Sequence, residues 1–199
     1  VYGAQKKYKN AEESFQKAID IQPLMSNAHY NLARLYLIQG ETGNAIKKFE
    51  EILKNNPDSV SVYFSLGQIY EQTKEYKKAI NIYEKLVAKK SDLWAGVNNL
   101  AFLLSEHGRS KDDLDRALAL AKKAHADSPE DAVVLDTLGW IYYKQGDVKL
   151  ASEYIGMAQI KTPESAVINY HMGMVFHRLS KFVEAKEMLK KSVAGRYDY

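Results

Sequence analysis

A chain of 199 residues, 46% hydrophobic and 27% charged, carries enough apolar material for a sizeable core and too much to be disordered. Its formal charge of +3 is mild, and its only arginines are Arg34, Arg109, Arg116, Arg178 and Arg196, which argues against a nucleic-acid-binding stripe. There is no cysteine, so disulfides, thiolate metal sites and cysteine nucleophiles are excluded, and no apolar run approaches the roughly 20 residues of a membrane span.

In chain order the apolar residues fall into helical stripes. Ala11, Phe15 and Ala18, ahead of Pro23, occupy i, i+4 and i+7 on one helix face. Tyr2 precedes Ala11 by the same interval that separates Tyr36 from Ala45, so residues 1–25 read as the second half of a repeat. The chain is therefore expected to be a fragment of a longer array. Residues 26–59 carry two stripes, Leu32, Ala33 and Tyr36, then Ala45, Phe49 and Ile52 before Pro57. Residues 60–93 repeat them as Leu66, Gly67, Tyr70, then Ala79, Tyr83, Leu86, with Ser91 in the proline place. Residues 94–131 give Leu100, Ala101, Leu104, then Ala117, Ala121, Ala124, Pro129. Residues 132–165 give Leu138, Gly139, Tyr142, then Ala151, Ile155, Ala158, Pro163. Residues 166–199 close with Met172, Gly173, Phe176, then Ala185, Leu189, Ser192.

The first alanines of the second stripes are separated by 34, 34, 38, 34 and 34 residues. A fixed period of this length signals stacked helical units. Each unit is predicted to be two antiparallel helices, A then B. Turns are expected at Gly40, Gly108 and Gly146, and capping groups at Asp58–Ser59, Glu130–Asp131 and Glu164–Ser165. Gly139 sits mid-helix, where glycine costs about 1 kcal/mol against alanine. It predicts a close approach of helix B through Ala151 and Ala158. The four extra residues of the third unit fall between Leu104 and Ala117, in SEHGRSKDDLDR, and read as a longer turn or helix end, with a docking knob as the other reading.

These motifs resemble the tetratricopeptide repeat family, whose signature is W-x2-L-G-x2-Y, then A-x3-F-x2-A, then P, over 34 residues. The likeness covers essentially the whole chain. The Trp place departs throughout, holding His29, Tyr63, Val97, Leu135 and Asn169. The stretches NNLAFLLSEHG and DTLGWIYYKQGD look most like bacterial arrays of the family, some of which serve exopolysaccharide and protein-sorting systems. The resemblance implies an all-α, right-handed superhelical solenoid of about five full repeats plus an N-terminal partial one. It also implies a concave groove lined by A helices that binds partners.

Counting about 100° per residue from the signature stripe, the opposite face of the A helices carries the candidate groove residues. They are Tyr30, Asn31, Arg34, Phe64, Gln68, Asn98, Asn99, Phe102, Asp136, Trp140, Tyr143, Tyr170 and Met174. Rigid aromatics supply contact area and amides can bond a peptide backbone. The carboxylate clamp of chaperone-binding members is not matched, since Tyr30, Arg34, Ala95 and Asn99 stand where it would need its Lys, Asn and Arg. An asparagine ladder is met by Asn31 and Asn99 and broken by Ser65, Thr137 and His171.

No phosphate loop or nucleophile elbow occurs, and His171 and His177, six apart, fall on different helix faces. No catalytic residue, cofactor or metal is expected. Paired lysines, from Lys47–Lys48 to Lys190–Lys191, read as a solvated outer face. The expected role is a non-catalytic scaffold binding a protein or extended peptide, with no nucleic acid and no direct membrane span. Self-assembly through array ends, with Phe182, Met188 and Leu189 exposed, is one alternative. A substrate-presenting domain of a larger enzyme is the other. The compartment is left open.

Overall fold

The computed structural model describes residues 2–194, with side chains from residue 5 onward, and these form helices joined by turns. The side chain of Tyr2 and residues 195–199 at the end of the predicted last repeat lie outside the described residues. The chain divides into two compact units, residues 1–89 and 90–199.

The first unit holds α1 (Tyr2–Ile21), α2 (Ser26–Ile38), α3 (Thr42–Asn55), α4 (Val60–Gln72) and α5 (Tyr76–Lys89). Here α2 and α4 are A helices, and α1, α3 and α5 are B helices. The predicted stripes make the interior: Leu32, Ala33, Ala45, Phe49, Leu66, Ala79 and Tyr83 are fully buried. The second unit holds α6 (Trp94–His107), α7 (Lys111–Asp127), α8 (Ala132–Gln145), α9 (Val148–Lys161), α10 (Ala166–Arg178) and α11 (Phe182–Ala194). Its A helices are α6, α8 and α10. Leu135, Ala151, Ile155, Ala158, Ile168, Met172 and Val175 form one core cluster. Met188 joins it as well, which corrects the expectation that Met188 is exposed, whereas Phe182 is exposed and Leu189 half-buried.

The close approach of helix B predicted at Gly139 is present, and its nearest atoms belong to Ile155 and Tyr154. A Cβ there would lie 2.7 Å from Ile155 Cγ1, 2.9 Å from the Ile155 backbone nitrogen and 3.0 Å from Tyr154 Cβ. Ala151 and Ala158, both fully buried, lie about one turn to either side of Ile155. Gly67 faces Tyr83 and Gly173 faces Leu189 in the same way. Each signature glycine thus receives the middle apolar residue of its B helix, one turn after the first alanine of that helix's stripe.

The missing signature tryptophan has a physical substitute. His29 Nε2 donates to Pro23 O at 2.8 Å, Tyr63 Oη donates to Pro57 O at 3.0 Å, and Asn169 Nδ2 donates to Pro163 O at 2.9 Å. A polar tip at this place ties the start of an A helix to the turn before it.

Four of the five A-to-B turns are alike. The backbone N–H of Glu41, Glu75, Asp147 and Lys181 reaches back to the carbonyls of Tyr36, Tyr70, Tyr142 and Phe176. This wrap needs a left-handed residue at the helix end. Gly40 (φ 79°) and Gly146 (φ 90°) supply it, and Lys74 and Ser180 adopt it at φ 60°. Gly108 does not: its φ of −61° and ψ of 153° are extended. It is glycine because a Cβ would run into Leu104 O and Asp113 Cβ. The four extra residues replace the tight wrap with a capping box between Ser110 and Asp113 and a 17-residue α7. Among the other predicted caps, Asp131 accepts from Val133 and Val134 and Ser165 from Ile168, while Ser59 makes no side-chain cap.

Candidate functional site

In the second unit the A helices α6, α8 and α10 touch one another through side chains on the face predicted to bind. Trp140 is at the centre of this wall. Its ring stacks on His171 of α10 (centroids 4.0 Å apart, planes 13° apart) and on Tyr143 (4.8 Å, 6°). Its Nε1–H donates to Glu106 Oε1 of α6 at 2.6 Å. Glu106 also takes Lys144 Nζ at 2.6 Å, and Lys144 donates to Ser105 O at 3.0 Å. Burial pushes the Glu106 carboxyl up, but the hydrogen bonds from Lys144 and Trp140 outweigh it and hold the group below the usual range. Asp136 of α8 bonds His171 Nδ1 through both carboxylate oxygens at 2.9 Å. That geometry makes Nδ1 the donor.

The predicted anchors are therefore redistributed. Trp140, Asp136 and Asn98 are only 7, 6 and 2% exposed. Trp140 and Asp136 serve the contact between neighbouring A helices. Asn98 Oδ1 has no hydrogen-bond partner among the described residues. Phe102, Tyr143 and Met174 are half-buried against the same cluster, and Asn99 is half-buried beside them on α6. Tyr170 is 38% exposed and tilts against Trp140 at 6.1 Å. Val133 and Val167, toward the N-termini of α8 and α10, are 58% and 54% exposed and complete an open apolar surface.

A row of charges was missed in the sequence: Glu106, Lys144 and Arg178. Each lies four residues after a groove candidate, Phe102, Trp140 or Met174, and that shared register was the available signal. The Arg178 guanidinium lies over Tyr143, 5.3 Å from the ring centroid. No carboxylate among the described residues pairs with it.

In the first unit the candidates behave differently. Tyr30 and Phe64 turn partly toward their own B helices. The Tyr30 ring meets Phe49 edge-on at 5.5 Å, and the Phe64 ring meets Tyr83 at 6.0 Å. Each lies three residues before the small residue facing helix B, only about 60° away round the helix. Between the A helices α2 and α4 there is a long hydroxyl contact, Tyr30 Oη to Ser65 Oγ at 3.4 Å. Asn31, Arg34 and Gln68 are exposed. On α4, burial raises the Glu71 carboxyl pKa, a rise that the hydrogen bond from Tyr83 only partly offsets.

Comparison with known proteins places this arrangement among helical repeats. The family described as anaphase-promoting complex, cyclosome, subunit 3 matches residues 4–86. A TPR repeat-containing protein of Pseudomonas aeruginosa is 31% identical over 88 residues, which are 44% of this chain and 14% of that protein. Among solved structures, YrrB, described as a TPR protein with an unusual peptide-binding site, is 20% identical with a TM-score of 0.66, covering 94% of this chain and 95% of that one. MamA of Desulfovibrio magneticus is 17% identical (TM-score 0.68, 87% of this chain, 97% of that one). A thermophilic TPR protein of Thermus thermophilus is 19% identical (TM-score 0.69, 87% and 93%). At these identities the structures speak to fold.

Proposed function

The chain is an all-α tetratricopeptide-repeat protein, and from that premise we propose that it is a non-catalytic scaffold whose second unit binds an extended peptide across α6, α8 and α10. The observation that carries this reading is the Trp140 wall. Glu106 and His171 hold Trp140 from two neighbouring helices, so the surface is ordered before any ligand arrives. Beside it stand the exposed Val133, Val167 and Tyr170, the half-buried Phe102, Tyr143 and Met174, and the guanidinium of Arg178. Apolar area flanked by a cation suits a peptide with alternating apolar and acidic side chains.

The charged groups of the wall favour binding over chemistry. Asp136 and His171 are both buried and spend themselves on each other beneath the Trp140 ring. Lys144 is committed to Glu106. With Arg178 as the wall's cation that meets no carboxylate among the described residues, a nucleic-acid backbone is a poorer fit than a peptide. The likeness to YrrB, described as having a peptide-binding site, agrees with this proposal.

Peptides selected from a random display library against the full chain test it. The best binder should slow amide exchange in α6, α8 and α10, and Tyr170→Ala should weaken it by about tenfold. If protection falls on α7, α9 and α11, and Tyr170→Ala changes nothing, the groove reading is wrong.

A further inference from the structure

Six residues after the signature Leu or Met, the A helices carry Ile38, Gln72, Glu106, Lys144 and Arg178. The place is uncharged in the first unit and charged on every A helix of the second. Within that charged row the acid is tied to the base one repeat on. A single oxygen, Glu106 Oε1, accepts from both Trp140 Nε1–H and Lys144 Nζ, each at 2.6 Å. An indole N–H and an ammonium converging on one carboxylate oxygen are what an anion site offers its ligand. Here the anion belongs to the chain itself.

The pair is open to whatever lies on the wall, since the side chains of Glu106 and Lys144 are 28% and 26% exposed. The other acid of the wall, Asp136, is buried and gives both oxygens to His171. Burial pushes the Glu106 carboxyl up, the bonds from Lys144 and Trp140 more than reverse that, and the group is charged at neutral pH. Lys144 has further commitments: Nζ donates to Ser105 O at 3.0 Å and lies 5.8 Å from the Trp140 ring centroid. Arg178, one repeat on, lies over the Tyr143 ring and meets no carboxylate among the described residues.

We propose that Glu106 is a specificity-determining residue of the wall. Its carboxylate holds, from within the fold, the place where a ligand carboxylate would meet Lys144 and the Trp140 N–H. A second carboxylate there is repelled by Glu106 and finds Lys144 taken, so the ligand presents an apolar or amide side chain at that place. Its acidic residue goes to Arg178 on α10. The inference rests on the peptide reading above and adds a rule to it: the wall takes one acid and turns away a second beside Trp140.

The probes are surface-bound peptides of about nine residues, long enough to cross three helices. Valine alternates with glutamine, and none, one or two of the glutamines become glutamate, the two set at every available spacing. Each is measured at low salt against the wild-type chain, Tyr170→Ala, Glu106→Gln, and Glu106→Gln with Lys144→Met. Glutamine keeps an oxygen for the Trp140 indole and methionine keeps the apolar stem, so the wall stays braced. Circular dichroism checks that each variant is folded at the assay temperature. One glutamate should strengthen binding to the wild type, and a second should add nothing. In Glu106→Gln the second should add about tenfold at one of the spacings, and Lys144→Met should remove that gain. If the second glutamate helps the wild type as much as the variant, or adds nothing in Glu106→Gln, the proposal is overturned while the groove stands. If no peptide binds in a way that Tyr170→Ala weakens, the peptide reading falls and this inference falls with it.

Discussion

The A helices of the two units follow the same spacing and are joined by different chemistry. Between α2 and α4 the polar contact is a pair of hydroxyls 3.4 Å apart, and the next positions, Asn31, Arg34 and Gln68, point into solvent. Between α6, α8 and α10 a carboxylate–imidazole pair, a carboxylate shared by an indole and an ammonium, and stacked rings link every neighbour. The repeat signature fixes how A packs on B. It leaves the contact between successive A helices free, and that contact decides whether the face is a braced wall or a row of separate side chains.

The largest effect that would break this comparison is at the buried pair. Asp136→Ala leaves His171 enclosed without its acceptor and should cost about 3 kcal/mol in urea unfolding. Its counterpart Tyr30→Phe should cost less than about 0.5 kcal/mol, given the length of the bond it removes. Similar losses from both would erase the distinction. Next come the signature glycines. Gly139→Ala presses a methyl on the Ile155 backbone nitrogen, which cannot move without α9, and should cost about 2 kcal/mol. Gly67→Ala presses on the ring tip of Tyr83 and should cost about half as much, since a side chain can shift.

The turns give a smaller effect with opposite signs. Gly146→Ala forces a Cβ into φ 90° and should destabilise by about 1 kcal/mol. Lys74→Gly in the first unit relieves φ 60° and should stabilise by something under about 1 kcal/mol. Thermal melts of the two variants should move in opposite directions.

The smallest effect is in pH. Glu106 is held below its usual 4.5, so its contribution is complete above that value and is lost as pH falls through the lower native one. Glu71 is raised above 4.5, so it penalises the native state at neutral pH, and the penalty disappears as pH falls through the raised value toward 4.5. Glu106→Gln should therefore lower the melting temperature at pH 7 and converge with wild type in acid. Glu71→Gln should raise it at pH 7 and also converge in acid. Parallel pH profiles would contradict the assigned causes.

Spacing alone was enough to read the helix pairs, the interior stripes and the need for a glycine at 139. The burial of Trp140 was not readable that way. A helical wheel places Trp140 about 100° from Gly139, and both the groove and the flank of the next A helix lie in that direction. Only the arrival of His171, 31 residues later, decides between them. Asp136 was ambiguous for the same reason. Glu106, Lys144 and Arg178 were passed over because a charge on a helix reads as solvated until its partner from another helix is known.

The proline tethers bear on the order in which the chain folds. His29, Tyr63 and Asn169 each close a loop of six residues. A loop so short closes on the order of 100 ns or faster and sacrifices little chain entropy. Those helix starts are set by neighbours in sequence, before any distant segment arrives. Val97 and Leu135 hold the same place with apolar side chains and wait for another helix to cover them. Nucleation should therefore begin around residues 23–29, 57–63 and 163–169 and spread outward, the segments around Val97 and Leu135 closing last.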